Sequence, residues 1–587
     1  MILQALVKRY EDLLDRGEEK VPRLGWGKAK VSFGLNLNEN GAVEGLLILR
    51  ETLIMGKKEV TLPREFEVPQ PVKRSVDIKS NFLCDNSTYL FGVDEKGKPE
   101  RSLQCYKACR ELHQNVLGRI ETPAAKAILN YFAIWSPKEA MEQSFFSENQ
   151  KELMAGANIL FYYDGKPVLQ DEEIRHAWQE YYDGMDSGSH GICMVTGQEA
   201  SLAALHPIIK GVAGAQAMGT SLVSFNAPAF CSYEKEQGGN APVGEYAAFA
   251  YAAALNELLS DKEHKKTIGD TTVVYWADGG ETVYQDLGMA AMFGVSEESG
   301  ITDQELSMIF DKLHRGEMVK IEEQWLDTDK HFYVLGLAPN AARLTVRFFL
   351  MDSFGNMLRH IGEHYERLKI VKPAYENVQS LSLWRLLSET VNKNAKEKTP
   401  LPQMAADMLQ AVIMGRPYPA SLLNGVMIRV RAEKEISYGR AAIIKAYYLK
   451  NENMDCSKKE GVLEMELNEQ CANVPYMLGR LFAVLEHIQQ EANPGINATI
   501  KDRYFNAAAS TPAQVFPVLL NLAQKHLRKL GEGEKGYLKV HFNKQIGELM
   551  ERIGEEYPKR LNLPKQGSFQ LGYYCQTQKR YQKKEEK

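Results

Sequence analysis

The chain has 587 residues, of which 44% are hydrophobic and 25% charged, with a formal net charge of −5; this is the balance of a globular protein of several domains, not of a disordered, fibrous or disulfide-built one. It contains no run of about 18 uninterrupted apolar residues, and its opening MILQALVKRYEDLLDRGEEK carries acids too early for a signal peptide. A cytoplasmic location without a membrane partner is expected, with the eight cysteines as reduced thiols.

In chain order, a first amphipathic helix precedes KVSFGLNLNENGAVEGLLILRETLIMGKKEVTLP, whose alternation around Asn40-Gly41 predicts a tight hairpin within a β-meander. ILFYYDGKPVL (159–169) repeats that logic around Asp164-Gly165, and EEIRHAWQEYY then predicts a helix and GICMVTG a short strand. A helix over 245–259, a strand over 271–277, a capping box from Thr302 to Glu305 and strands HFYVLGL and RLTVRFF continue the mixture to about residue 350.

Beyond residue 380 the texture is helical. Leu478, Leu481, Phe482, Leu485 and Ile488 recur at helical spacing and predict one apolar stripe. The next helix opens at Thr511-Pro512 and ends in Gly531, with Lys525, Arg528 and Lys529 complementing the dipole of its last turn. A third stripe runs through Phe542, Ile546, Leu549, Met550 and Ile553. The expected fold is an α+β N-terminal region (1–370) with a mixed or antiparallel sheet, followed by an all-α C-terminal helical bundle (371–587). Charge follows this division: residues 477–587 carry 18 Lys+Arg against 11 Asp+Glu, and residues 1–476 carry 53 against 65. The basic end suits a phosphate backbone.

Four patterns could carry chemistry. GAQAMGTS (214–221) matches the phosphate-binding GxxxxGK[ST] loop except that Thr220 stands where the lysine belongs. Without that lysine, and with SLVSF alternating like a strand where a helix should open, nucleotide hydrolysis is not expected. HIGEH places His360, Glu363 and His364 in an H-x-x-E-H pattern that could hold a zinc ion and activate water, or could simply be a helix face. Cys105, Cys109 and His113 lie at i, i+4, i+8, with Cys84 a possible fourth ligand; buried inert thiols are the competing explanation. The segment 206–246, rich in Gly, Ser, Asn and Gln, contains a GxxG at 211–214 and offers close backbone approach to phosphate together with side chains able to read base edges. It could equally be a polar surface loop packed by Phe225 and Phe230.

Longer blocks carry a resemblance. GWGKAKVSFGLNL, FLCDNSTYLFGVD, HPIIKGVAGAQAMGTSLVSFNAPAFCSYEKEQGGNAPVGEYAAFAY, LGLAPNAARLTVRFF, GRAAIIKAYYLK, MLGRLFAVLE, INATIKDRYFNAAASTPAQVFPVLL and LGYYCQTQ occur in one order across essentially the whole chain. In these blocks the chain resembles the large subunit of the subtype I-C CRISPR Cascade complex, the Csd-one family. The resemblance implies a subunit with no catalytic activity or cofactor of its own, in a surveillance complex with CRISPR guide RNA and the backbone, 5′-handle and small subunits. Such a subunit reads the protospacer-adjacent motif (PAM) in target double-stranded DNA, helps open the duplex, engages the displaced strand and recruits a helicase-nuclease. The segment 477–587 resembles the internally translated small subunit, with Met465 and Met477 as candidate starts. The last block reads LGYYCQTQ where LGYYHQRQ is more usual, which at Cys575 and Thr577 removes two possible phosphate donors.

The candidate contacts near the PAM are Lys210, Gly214, Gln216, Ser221, Asn226, Lys235, Gln237 and Asn240, chosen for their chemistry within one loop. Lys28 and Lys30, beside Trp26, are candidates for phosphate contact, and Arg503, Lys525, Arg528 and Lys529 for unwound DNA. Two other readings stand beside this one: a zinc-dependent hydrolase on His360, Glu363 and His364, and a purely architectural scaffold.

Overall fold

The computed structural model describes residues 1–17, 21–55, 58–72, 74, 78–93, 98–184, 189–261, 265–295, 301–321, 324–376, 381–396, 398–451, 461–532 and 536–581. Cys456 and residues 377–380, just past the expected boundary at 370/371, lie outside them; the other seven cysteines are free thiols. The chain forms two compact units, Met1–Ile208 with Val223–Glu257, and Ile209–Leu222 with Leu258–Lys587.

The first unit is mixed α/β. The expected meander is divided between two sheets. Trp26–Val31, Lys58–Pro69 and Arg50–Met55 form a three-stranded antiparallel sheet, while Val43–Ile48, Phe33–Leu37, Ile159–Tyr163 and Cys84–Asp85 form the path of a five-stranded one. In the latter, Phe33–Leu37 runs antiparallel to Val43–Ile48 but parallel to Ile159–Tyr163. At the first hairpin only Gly41 takes a positive φ (79°), and Asn38 Oδ1 accepts from the Asn40 and Ala42 N–H groups to hold the loop. A Cβ at position 41 would meet the Tyr131 nitrogen at 2.3 Å. The Asp164-Gly165 turn closes as the sequence predicts, with φ 48° and 71° and Tyr163 paired to Lys166. Helices Pro99–Leu117, Pro123–Ile134 and Glu172–Asp183 supply the rest of the core around Phe82, Tyr131, Phe161 and Trp178.

The second unit joins a four-stranded antiparallel sheet to the helices. Its strand order is Lys265–Ile268, Thr271–Ala277, His331–Asn340, Arg343–Ser353. One hydrophobic core runs from Val273, Tyr275, Phe332 and Phe348 of this sheet into the helical region through Ile361, Ile443, Phe482 and Phe569. The change of texture near residue 370 therefore falls inside a continuously packed unit. From Phe354 onward the described elements are all helices, as the sequence indicates.

The helix Val474–Ala492 differs from its expected single stripe: every residue from Pro475 to Glu486 is buried. The helices Pro512–Gly531, Gly536–Ile553 and Leu563–Tyr581 pack around it. Closest approach is to Leu563–Tyr581, where a Cβ at Gly479 would stand 1.9 Å from the Phe569 carbonyl oxygen and one at Gly572 would stand 2.0 Å from that of Tyr476. The two glycines let backbone meet backbone, which explains their place in MLGR and QLGYY. Two charged groups are sealed in the same unit. Arg440, fully buried, contacts Glu433 and Glu389 and donates to the Glu435 carbonyl at 3.0 Å; Lys445 Nζ donates to the Arg367 carbonyl at 3.3 Å.

Candidate nucleic-acid interface

GAQAMGTS is a pair of turns fastened beside the four-stranded sheet of the second unit. Thr220 exchanges backbone hydrogen bonds with Ile209 at 2.8 and 2.9 Å, and Ser221 N–H donates to the Ala342 carbonyl at 3.1 Å while its own carbonyl accepts from Leu344. Ala213 N–H donates to Thr272 Oγ1 at 3.0 Å. Gly211, Gly214 and Gly219 all take positive φ (92°, 74° and 98°), which glycine alone adopts without strain. Thr220, in the lysine's place, is buried and its hydroxyl donates to the Ile209 carbonyl, so no side chain at that position reaches a phosphate as the lysine of a phosphate-binding loop would. SLVSF forms no strand beyond the isolated bridge at Ser221. The longest exposed run of the loop is the turn Gln216–Met218, whose three N–H groups have no acceptor among the described residues. Consecutive unengaged amides beside an exposed glutamine suit a phosphate oxygen or a base edge.

The second half of the block belongs to the first unit. Residues 228–240 form a tip whose backbone is over-determined. Gly238 N–H donates to the Ala204 carbonyl at 3.0 Å, and a Cβ there would meet the Ala203 oxygen at 2.0 Å. Asn240 Oδ1 accepts from Ser232 N–H at 2.9 Å, and its amide donates to the carbonyls of Lys235 (3.0 Å) and Gln237 (3.1 Å). Between these anchors Tyr233, Glu234 and Gln237 take positive φ of 53°, 58° and 43°. Three left-handed non-glycine residues within five positions are costly, and such strain clusters at functional sites. The conformation presents Tyr233, 94% exposed, together with Phe230, Lys235 and Gln237. Lys235 is flanked by Glu234 and Glu236, so the tip gains little from net charge; its recognition chemistry is the amide of Gln237 and the aromatic rings.

The eight candidates of the 206–246 block thus fall in two sets. Lys210, Gly214, Gln216 and Ser221 belong to the second unit, and Asn226, Lys235, Gln237 and Asn240 to the first. Lys210, Gln216, Asn226, Lys235 and Gln237 have exposed side chains, whereas Ser221 is held in the sheet bridge and Asn240 staples its own loop. Sequence reasoning gave Phe230 a packing role, whereas it is exposed, and it missed Tyr233, which stands among polar residues without periodicity; the Gly238-Gly239-Asn240 run was the available turn signal.

Lys28 and Lys30 project from one exposed face of Trp26–Val31, directly across from Glu67 and Glu65. Glu65 offsets the lysines' charge at cross-strand distance, while Glu67 pairs with Arg175 at 3.1 Å. On Pro512–Gly531, Lys525, Arg528 and Lys529 are exposed along one helical face, with Lys529 Nζ donating to Asn493 Oδ1 at 2.9 Å; Arg503 is exposed on Ile500–Ser510. Cys575 is buried against Lys445 and Tyr476, and Thr577 donates to the Tyr573 carbonyl at 2.8 Å. Position 575 therefore faces the interior, and the departure from LGYYHQRQ there removes no surface donor.

The two metal patterns resolve into packing. His113 is fully buried; Leu83 N–H donates to its Nε2 at 3.0 Å, and its Nδ1 donates to the Cys109 carbonyl at 2.8 Å, leaving no ring nitrogen for a metal. Burial pushes its pKa down to about 4 and pushes the Cys84 and Cys109 thiols up. In HIGEH, His364 is buried with Nδ1 2.7 Å from the Tyr418 hydroxyl, and burial pushes its pKa down to about 3. Glu363 turns instead to Arg359 at 2.7 Å and Arg367 at 3.4 Å. Among the described residues no group of three or more His, Cys, Asp or Glu side chains converges as a metal site, so the zinc-hydrolase reading has no geometry to support it. No helix among them is long and apolar enough to cross a membrane.

Comparison with curated proteins gives no match. A family model described as CRISPR-associated protein (Cas_Csd1) matches residues 6–581, which takes in both units, the GAQAMGTS turn, the 228–240 tip and the closing glycine-paired helices. Over nearly its whole length, then, the chain belongs to the CRISPR-associated Cas_Csd1 family.

Proposed function

We propose that this protein is the non-catalytic large subunit of a subtype I-C CRISPR RNA-guided surveillance complex. In this reading it contacts the PAM in target DNA, helps open the duplex and provides the surface on which the helicase-nuclease is recruited. The observation that carries the reading is the 228–240 tip, held in strained backbone by Gly238 and Asn240 so that an amide, an ammonium and two aromatic rings project together. The Gln216–Met218 turn, with its unengaged amides, is the second contact. The exposed cations Lys525, Arg528, Lys529 and Arg503 serve unwound DNA by phosphate neutralisation.

The test is target-duplex binding by the complex reconstituted with guide RNA, comparing Gln216→Ala, Asn226→Ala, Lys235→Ala and Gln237→Ala over several PAM sequences and salt concentrations. A base-reading residue should lose about 1–3 kcal/mol and relax one PAM position, whereas a phosphate contact should weaken all sequences alike and flatten the salt slope. Variants that fold but fail to enter the complex would favour the scaffold reading.

We also propose Met465 as the start of an internally translated small subunit. A chain beginning at Met477 would lack Asn473, whose side chain caps the central helix by accepting from Tyr476 N–H at 2.9 Å, and Tyr476 itself, fully buried against Gly572. It would also lack residues 468–470, where Arg480 donates to the Glu469 carbonyl at 3.3 Å, Arg552 to Gln470 Oε1 at 2.8 Å and Lys579 pairs with Glu469. A chain from Met465 keeps all of these.

A further inference from the structure

A cleft of about 820 Å³ opens in the second unit, between residues 373–376, the starts of helices Tyr438–Lys450 and Ile500–Ser510, and the last turns of Leu563–Tyr581. That is the size of a small-ligand site, and it is separate from the loops discussed above. Its carboxylates are largely engaged: Glu376 accepts from Arg385 at 2.8 Å, and Glu389 accepts from Ser437 at 2.8 Å and faces Arg440 at 3.4 Å. Glu435 meets Lys393 only at 3.9 Å, with both side chains more than half exposed, a weak contact. Lys501 Nζ lies 5.0 Å from the Tyr573 ring centre and has no carboxylate partner among the described residues. Tyr375, 83% exposed, turns an uncovered ring to the cleft, and the Gln578 amide and Tyr438 hydroxyl have no hydrogen-bond partner among the described residues.

What is left over is open aromatic surface, the Lys501 ammonium, the loosely held Lys393–Glu435 pair and neutral donors. An acidic peptide would meet the ammonium groups and leave the rings bare; a neutral peptide would leave the ammonium groups unanswered. A flat π system joined to an anionic group satisfies both. We infer that this cleft binds a nucleotide, its base stacked on Tyr375 and its phosphate at Lys501 and Lys393. The same chemistry is offered by a free nucleotide or by one unit of a single strand.

The test uses the full-length protein without guide or duplex: titration calorimetry with dAMP, and fluorescence anisotropy with a labelled thymidine 12-mer. Tyr375→Ser and Lys501→Gln should each weaken binding roughly tenfold, while Lys544→Gln, remote from the cleft, should leave it unchanged; thermal melts verify that the variants fold. A 12-mer that binds more tightly than dAMP and loses affinity in both cleft variants assigns the cleft to a strand, and tighter dAMP binding lost in the same variants assigns it to a free nucleotide; either upholds the inference. It is overturned if neither ligand binds at millimolar concentration, if the two substitutions have no effect, or if polyglutamate displaces the nucleotide at lower concentration than dAMP does. The PAM reading would survive that failure, since none of its residues takes part.

Discussion

At Gly238 an added methyl carbon would stand 2.0 Å from the Ala203 oxygen, and Asn240 alone makes three hydrogen bonds across residues 232–237. Gly238→Ala should therefore release the tip without unfolding the protein. Hydrogen exchange over 228–240 should rise while the melting temperature moves little, and protection that stays at wild-type level would contradict the over-determined geometry. A second expectation at this scale concerns protons. His113 and His364 are fully buried and held neutral, with pKa near 4 and 3 against an ordinary value of about 6.5. Between those limits only the unfolded chain takes up the proton, so the stability they contribute is complete above pH 6.5 and falls as pH drops toward 4. Denaturant unfolding at pH 7 and pH 5 should differ by on the order of 2 kcal/mol for each histidine; a flat profile would contradict their burial.

The Gly479–Gly572 crossing governs the helical bundle, because the helices Val474–Ala492 and Leu563–Tyr581 can approach only where both lack a side chain. Gly479→Ala forces a carbon to within 1.9 Å of the Phe569 oxygen and should cost about 3 kcal/mol, read as a lowered melting temperature; a silent substitution would mean the helices are farther apart. If the Met465 start is right, mass spectrometry of a short C-terminal product should find its N-terminus at 465. Recoding Met465 alone should remove that product, and persistence from Met477 would contradict the capping argument. Much of this level was legible in the sequence. Gly165, the Thr302–Glu305 capping box and Pro512 each mark an element boundary through local chemistry that needs no distant partner. The split of the expected meander was not legible, because the alternation in residues 30–63 is the same whichever sheet a strand joins. Nor was the full burial of Pro475–Glu486, where Arg480 and Glu486 read as an outer face until Gln576, Thr499 and Tyr573 are seen to hold them.

Across the whole molecule, one continuous polar block in the sequence serves two units, with GAQAMGTS fastened to the sheet of one and the 228–240 tip built into the other. The glycines of GAQAMGTS were legible as turn residues, and its missing lysine was legible as an argument against nucleotide hydrolysis. That Thr220 is buried, that Asn240 is a staple and that Tyr233 is displayed depends on contacts with Ile209, with the tip's own backbone and with open solvent, none of which leaves a pattern in the local sequence. The central claim is that the tip reads DNA, and PAM-dependent duplex binding by a complex carrying Gln237→Ala tests it most directly. The account predicts an affinity loss of about 1–3 kcal/mol on the preferred PAM, relaxed discrimination at one position and an unchanged salt slope. An assembled complex that keeps wild-type affinity and PAM preference would contradict it.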